Sequence, residues 1–130
     1  MRPQVLIVDD DEVIVFLHEL IIRESGLSAA PLSFRNGRLA LNYLNSHHEA
    51  AEHYLIFLDL NMPIMNGWEL VNAIQASCYQ HQVSVVMVTS SINYSDRIKA
   101  NLYPLIIEYA EKPLTFKICE RLKSMLNIGR

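Results

Sequence analysis

A chain of 130 residues is sized for one compact domain, and 51% apolar content with only 19% charged residues gives it a sizeable core. A formal net charge of −3 leaves no basic footprint for direct nucleic-acid binding. Cys78 and Cys119 lie far apart without CxxC spacing and read as reduced thiols of a cytoplasmic protein; no apolar run is long enough for membrane insertion.

In chain order, strands and helices alternate. Val5-Leu6-Ile7-Val8 is a continuous apolar run, the mark of a strand buried on both faces, and the acids that follow it come too soon for a signal peptide. Val13, Leu17, Leu20 and Ile21 recur at helical spacing and predict a first helix that presents them to the core and stops near Gly26. A weaker strand is expected over 29–34. After Asn36-Gly37 a helix carries Ala40, Tyr43 and Leu44 on one face. The stretch 45–53, rich in His and Glu, reads as an extended helix end or loop. Tyr54-Leu55-Ile56-Phe57-Leu58 is a second strong strand ending on Asp59. Asn66-Gly67 opens a helix with Leu70, Val71 and Ile74, and 83–88 is a third strong strand. A polar stretch, 90–96, leads to a short helix over 97–102. Leu105-Ile106-Ile107 begins the last strand, and Ile118, Leu122, Met125 and Leu126 mark the last helix. The four residues that remain leave no room for a second domain. Such alternation predicts an α/β fold, a doubly wound parallel sheet with right-handed crossovers.

Ligands of such sheets bind at the carboxyl ends of the strands. There the sequence places Asp9-Asp10-Asp11 after the first strand, Asp59 after the third, Thr89-Ser90-Ser91 after the fourth, and Lys112-Pro113 after the fifth. Converging carboxylates repel unless a cation neutralises them, and hard oxygen ligands with open positions suit Mg²⁺. A carboxylate can also be the nucleophile of aspartyl-phosphate chemistry, with a metal, an ammonium and a hydroxyl stabilising the transferred group. Each residue alone has an ordinary explanation: Asp11 reads equally as the cap of the first helix, and Lys112 as a solvated side chain before a turn. Their joint placement at matched strand ends is what points to chemistry.

Val8-Asp9-Asp10, Leu58-Asp59-Leu60-Asn61-Met62-Pro63 with Asn66-Gly67, Val88-Thr89-Ser90, and Tyr109 three positions before Lys112-Pro113 together resemble the response-regulator receiver family of two-component signalling. Asp59 to Thr89 is thirty positions and Thr89 to Lys112 twenty-three, as in receivers. The resemblance covers residues 1–130 as one receiver domain. It implies the flavodoxin-like receiver fold, five parallel strands in order 2-1-3-4-5 with five helices. It further implies that Asp59 accepts a phosphoryl group from a sensor histidine kinase or a histidine phosphotransfer protein. Mg²⁺ would be held by Asp10, Asp59 and the backbone carbonyl of Asn61, with Asp9 direct or through water. Thr89 would hydrogen-bond the phosphoryl group and Lys112 would pair with it. Pro113 would follow a cis peptide that aims Lys112 at the site. Small Ser90 would leave the phosphate accessible to donors and water. Tyr109 would turn inward as Thr89 moves, changing the face built from the fourth helix, fifth strand and fifth helix for a downstream protein target or a phosphorylation-dependent homodimer. Such a protein is a switch, not an enzyme beyond Mg²⁺-dependent self-phosphorylation and autodephosphorylation. Two places depart from the pattern. Asp9 to Asp59 is fifty positions, longer than in compact receivers, with 45–53 absorbing the excess, and strand five is approached through Tyr103-Pro104-Leu105.

Other functions fit less well. Aspartate-nucleophile phosphatases place a second acid two positions after the nucleophile, where this chain has Asn61. A receiver-like interaction module that works without phosphorylation has no use for a crowded charge cluster. His47, His48 and His53 are too loosely spaced for a metal site and read as a solvated helix end. Trp68 is expected to be half-buried packing. Gly37 and Gly67 need no phosphate-loop explanation, since no GxxxxGKS/T run is present.

Overall fold

The computed structural model describes residues 2–90 and 92–128. The apolar runs become strands β1 (Gln4–Val8), β3 (Tyr54–Leu58) and β4 (Val83–Thr89), with shorter β2 (Leu32–Phe34) and β5 (Ile106–Glu111) at the edges. All neighbours pair in parallel and the order is β2-β1-β3-β4-β5. Helices α1 (Glu12–Glu24), α2 (Gly37–His47), α3 (Gly67–Gln75) and α4 (Tyr94–Ala100) fill the crossovers, and α5 (Phe116–Met125) follows β5. Each starts at a side-chain cap: Asp11, Asn36, Asn66, Asn93 and Thr115 accept from backbone N–H groups of the first turn. At α3 the cap is reciprocal, because Glu69 accepts from the Asn66 N–H.

The sheet separates two apolar layers. Leu6, Val8, Ile56, Leu58, Val85 and Met87 pack toward α2, α3 and Ala100 of α4. Val5, Ile7, Leu55, Phe57, Val86 and Val88 pack toward Ile22 of α1 and Cys119 and Leu122 of α5. Between β4 and β5 the register slips: Val85 opposes Ile106, but Val86 opposes Glu108. Ile107 is thus a bulged residue, and it and Glu108 both turn to the α5 side, where Glu108 pairs with Arg121 at 2.6 Å. Tyr109 consequently opposes Met87 and shares its layer.

Three expectations need correction. Val13, Leu17 and Leu20 face solvent, and α1 buries His18 and Ile22 instead. The helix is apolar nearly all round, so spacing alone did not select a face. Second, β2 is only three residues long, starting at Leu32 rather than at 29. Third, α4 starts at Tyr94, three residues before the expected point, because the Asn93 side chain caps it through Ser95 and Asp96 N–H groups. The 45–53 segment is the expected extended helix end. A short 3-10 turn (His48–Ala50) follows α2, and Tyr79, Tyr54 and Gln82 hydrogen-bond Asn45, His47, His48 and Ala51. Among the described residues no helix is long and apolar enough to cross a membrane.

Candidate functional site

Strand register brings the charged residues together. Val8 pairs with Leu58, and the Asp59 N–H donates to the Val8 carbonyl at 2.9 Å, so Asp9 and Asp59 leave adjacent central strands side by side. The Lys112 N–H donates to the Thr89 carbonyl at 2.7 Å, which extends the β4–β5 ladder by one residue and carries Lys112 to the same rim. Gly67, the first residue of α3, packs on the exit of β3. An added Cβ there would lie 2.7 Å from the Asp59 carbonyl oxygen.

Carboxylate oxygens of Asp9, Asp10 and Asp59 all lie within 4.8 Å of one another. Asp9 and Asp59 are buried and Asp10 is exposed. Lys112 Nζ stands between the buried pair, 2.7 Å from Asp9 Oδ2 and 3.4 Å from Asp59 Oδ1. Asp9 Oδ1 also accepts from the Asp11 N–H at 2.9 Å. Above Asp59 opens a cavity of about 330 Å³, lined by Asp10, Asp11, Ile14, Asp59, Asn61, Ser90 and Lys112. Burial, and then Asp9, push the Asp59 carboxyl above its ordinary range, while Lys112 and the Asn61 N–H pull it back. Burial alone would lower the Lys112 ammonium, but Asp9 and then Asp59 outweigh it and hold its pKa above the ordinary value. An acidic cluster with one half-buried cation is short of positive charge, and its oxygen donors facing an open cavity fit a hard divalent ion.

Of the remaining expected residues, Thr89 is buried at the end of β4 and Ser90 is exposed at the cavity rim; Ser91 lies outside the described residues. The Lys112–Pro113 peptide is cis. Tyr109 is only 8% exposed, its ring already inward. The Asn93 backbone is near enough to favour the phenolate, yet among the described residues no group meets the Tyr109 hydroxyl in hydrogen-bond geometry, and burial dominates in raising its pKa. Asp11 is the cap of α1. The three histidines go separate ways: His47 stacks on Tyr43, His48 on Tyr79, and His53 Nε2 meets Ser84 Oγ at 2.8 Å. Trp68 is half-buried between Tyr103 and the Lys99 ammonium, joining α3 to α4. Two neighbours of the site have contacts that the sequence did not show. Gly67 marks the opening of a helix in the sequence but not its close packing on the Asp59 carbonyl, and His18 is a lone histidine whose partner, Leu114, is 96 positions away.

The chain is similar in sequence and fold to known proteins. The response regulator receiver domain model matches residues 5–122. The chain is 32% identical over 125 residues to the transcriptional regulatory protein PrrA of Mycobacterium bovis, covering 95% of this chain and 50% of that protein. It is 27% identical over 128 residues to the transcriptional regulatory protein PcoR of Escherichia coli, covering 98% and 53%. The chain therefore spans about half the length of these curated relatives. Among solved structures, a two component response regulator from Cytophaga hutchinsonii superimposes with a TM-score of 0.86 at 31% identity, covering 96% of this chain and 97% of that one. A response regulator receiver protein from Dyadobacter fermentans gives 0.83 at 28% identity, with 95% and 97% covered. By motif, strand order and match over nearly its whole length, the chain belongs to the response regulator receiver family of two-component systems.

Proposed function

We propose that this receiver is a phospho-switched signalling domain whose acceptor is Asp59, and that residues 1–130 act as one such domain in the cytoplasm. The observation that carries the reading is the meeting of Asp9, Asp10 and Asp59 within 4.8 Å around the Lys112 ammonium, beneath an accessible cavity. The donor is a phosphohistidine on a sensor kinase or a phosphotransfer protein. An Asp59 carboxylate oxygen forms the new P–O bond while the P–N bond breaks, and the electron pair returns to the donor imidazole. Lys112 pairs with the phosphoryl oxygens, and the Thr89 hydroxyl donates a charge-assisted hydrogen bond to one of them. Asp10, Asp59 and the Asn61 carbonyl would hold Mg²⁺, with Asp9 direct or through water. When bound, the ion supplies positive charge to the crowded carboxylates and to the transferred group. Ser90 is small enough to leave water and donors a path.

The output is read on the face of α4, β5 and α5. A phosphoryl group favours the state in which Thr89 is drawn toward Asp59, and Tyr109, in the same layer as Met87, responds to that movement. Downstream protein binding, or pairing of two copies, follows from the altered face.

Intact mass after incubation with acetyl phosphate and Mg²⁺ tests the acceptor. Wild type is expected to gain one phosphoryl group, lose that capacity when the metal is chelated, and show no gain as Asp59→Asn. Equal labelling of Asp59→Asn would remove Asp59 from the role.

A further inference from the structure

His18 is 1% exposed in a helix that otherwise buries carbon. A buried imidazole needs a partner, and this one is nonlocal: Nε2 accepts the Leu114 N–H at 3.2 Å. An accepting Nε2 carries no proton, so the ring is neutral with its hydrogen on Nδ1. Burial agrees, lowering the pKa to about 4 against the opposing pull of Asp9.

The position of that bond gives it meaning. Between β5 and the Thr115 cap of α5 the chain runs Lys112, Pro113, Leu114. Lys112 is anchored at its backbone to Thr89, Pro113 has no N–H to give, and the next donor is that of Leu114. Leu114 is buried in the layer between the sheet and α1 and α5. A hydrogen bond from α1 therefore fixes the turn on the far side of Lys112, just as the ladder bond to Thr89 fixes the near side. The Lys112 side chain is held between these two ties and reaches both Asp9 and Asp59.

We propose that His18 is a positioning residue: through the Leu114 N–H it locks the β5–α5 turn and so sets where the Lys112 ammonium stands over Asp9 and Asp59. The inference rests on the phospho-acceptor reading above for its consequence, but the tie itself exists in the unmodified protein. Without an acceptor at position 18 the buried Leu114 N–H must turn to find another partner, and Lys112 moves with it. Small misplacements of a positioning group slow a transfer reaction out of proportion to their size.

The test uses His18→Leu, which fills the space without an acceptor, and His18→Gln, whose amide oxygen can take the place of Nε2. His18→Leu is expected to stay folded and keep its Mg²⁺ affinity but to label from acetyl phosphate about tenfold more slowly. His18→Gln should recover most of the rate. Combined with Lys112→Ala, His18→Leu should add no further loss, since both act on one group. In the unphosphorylated protein, the ¹H–¹⁵N ammonium resonance of Lys112 should be visible in wild type and His18→Gln and lost to water exchange in His18→Leu. A wild-type rate in His18→Leu, failure of His18→Gln to recover, or a multiplicative loss with Lys112→Ala would each overturn the proposal. If wild type takes no label at all, the acceptor reading fails by itself, and the Lys112 resonance still decides the role of His18: an unchanged signal in His18→Leu refutes it.

Discussion

Lys112 stands closer to Asp9 than to Asp59, 2.7 Å against 3.4 Å. The ammonium thus pairs more closely with Asp9 than with Asp59, and on the proposed function this would leave an Asp59 oxygen free to react. His18 lies one step behind this trio, and its chemistry makes the fold sensitive to acid. An unfolded imidazole takes its proton near 6.5, whereas in the fold it does so only near about 4. Between those values the unfolded chain binds more protons, so the contribution of His18 is complete above pH 6.5 and is lost as the pH falls toward 4. At 1.36 kcal/mol per unit the loss amounts to roughly 3 kcal/mol. Urea unfolding at pH 7.5 and pH 4.5 should show wild type losing about that much more stability than His18→Gln, in which position 18 does not titrate. A wild-type-to-variant gap that is the same at both pH values would contradict it.

At the scale of elements, the helix starts do as much as the strands to shape the site. Asn66 and Glu69 cap α3 so tightly against the exit of β3 that position 67 has no room for a side chain: its Cβ would meet the Asp59 carbonyl oxygen at 2.7 Å and Leu60 Cα at 3.0 Å. Gly67→Ala is therefore expected to destabilise the fold by about 2 kcal/mol despite the better helix propensity of alanine, because both neighbours are backbone and cannot rotate away. Denaturant unfolding measures this, and an unchanged or raised midpoint would show that α3 can shift freely. The elements differ in how far they could be read in the sequence. β1, β3 and β4 are central and apolar on both faces, so their runs are unbroken and their carboxyl-end residues, Asp9, Asp59 and Thr89, could be placed directly. Helix α1 gave its existence but not its orientation, since residues such as Val13, Phe16, Leu17 and Leu20 are apolar yet exposed. The edge strand β2 is too short for a pattern, and the start of α4 hid in a polar stretch that is in fact its cap and first turn. His18 was beyond reach because a hydrogen bond across 96 positions leaves no periodicity.

For the whole molecule, the sheet order puts Asp59 and Thr89 at the ends of neighbouring strands, β3 and β4, while the Tyr109 ring is one strand further out on β5. On the proposed function, signal would travel outward across the sheet, from Asp59 to Thr89 to Tyr109, toward α4 and the turn after it, which expose Tyr94, Ile98 and Leu102. Bound beryllofluoride should draw Thr89 toward Asp59 and shift 92–102 relative to β5. A crystal structure of that complex with Thr89 and this segment unmoved would mean that the signal leaves by another face. The bulge at Ile107 gives this path an arithmetic. Because strand side chains alternate, Ile106 and Tyr109, three positions apart, share the layer of Val85 and Met87 only because the bulge takes up one residue. Parity, rather than identity, is what that residue contributes. Deleting Ile107 would remove the bulge alone: Glu108 would still oppose Val86 and the ring would still oppose Met87. A one-residue deletion at the bulge is therefore expected to keep Tyr109 in its layer, whereas sliding β5 by one residue along β4 would turn every side chain of the strand, the ring included, to the other face.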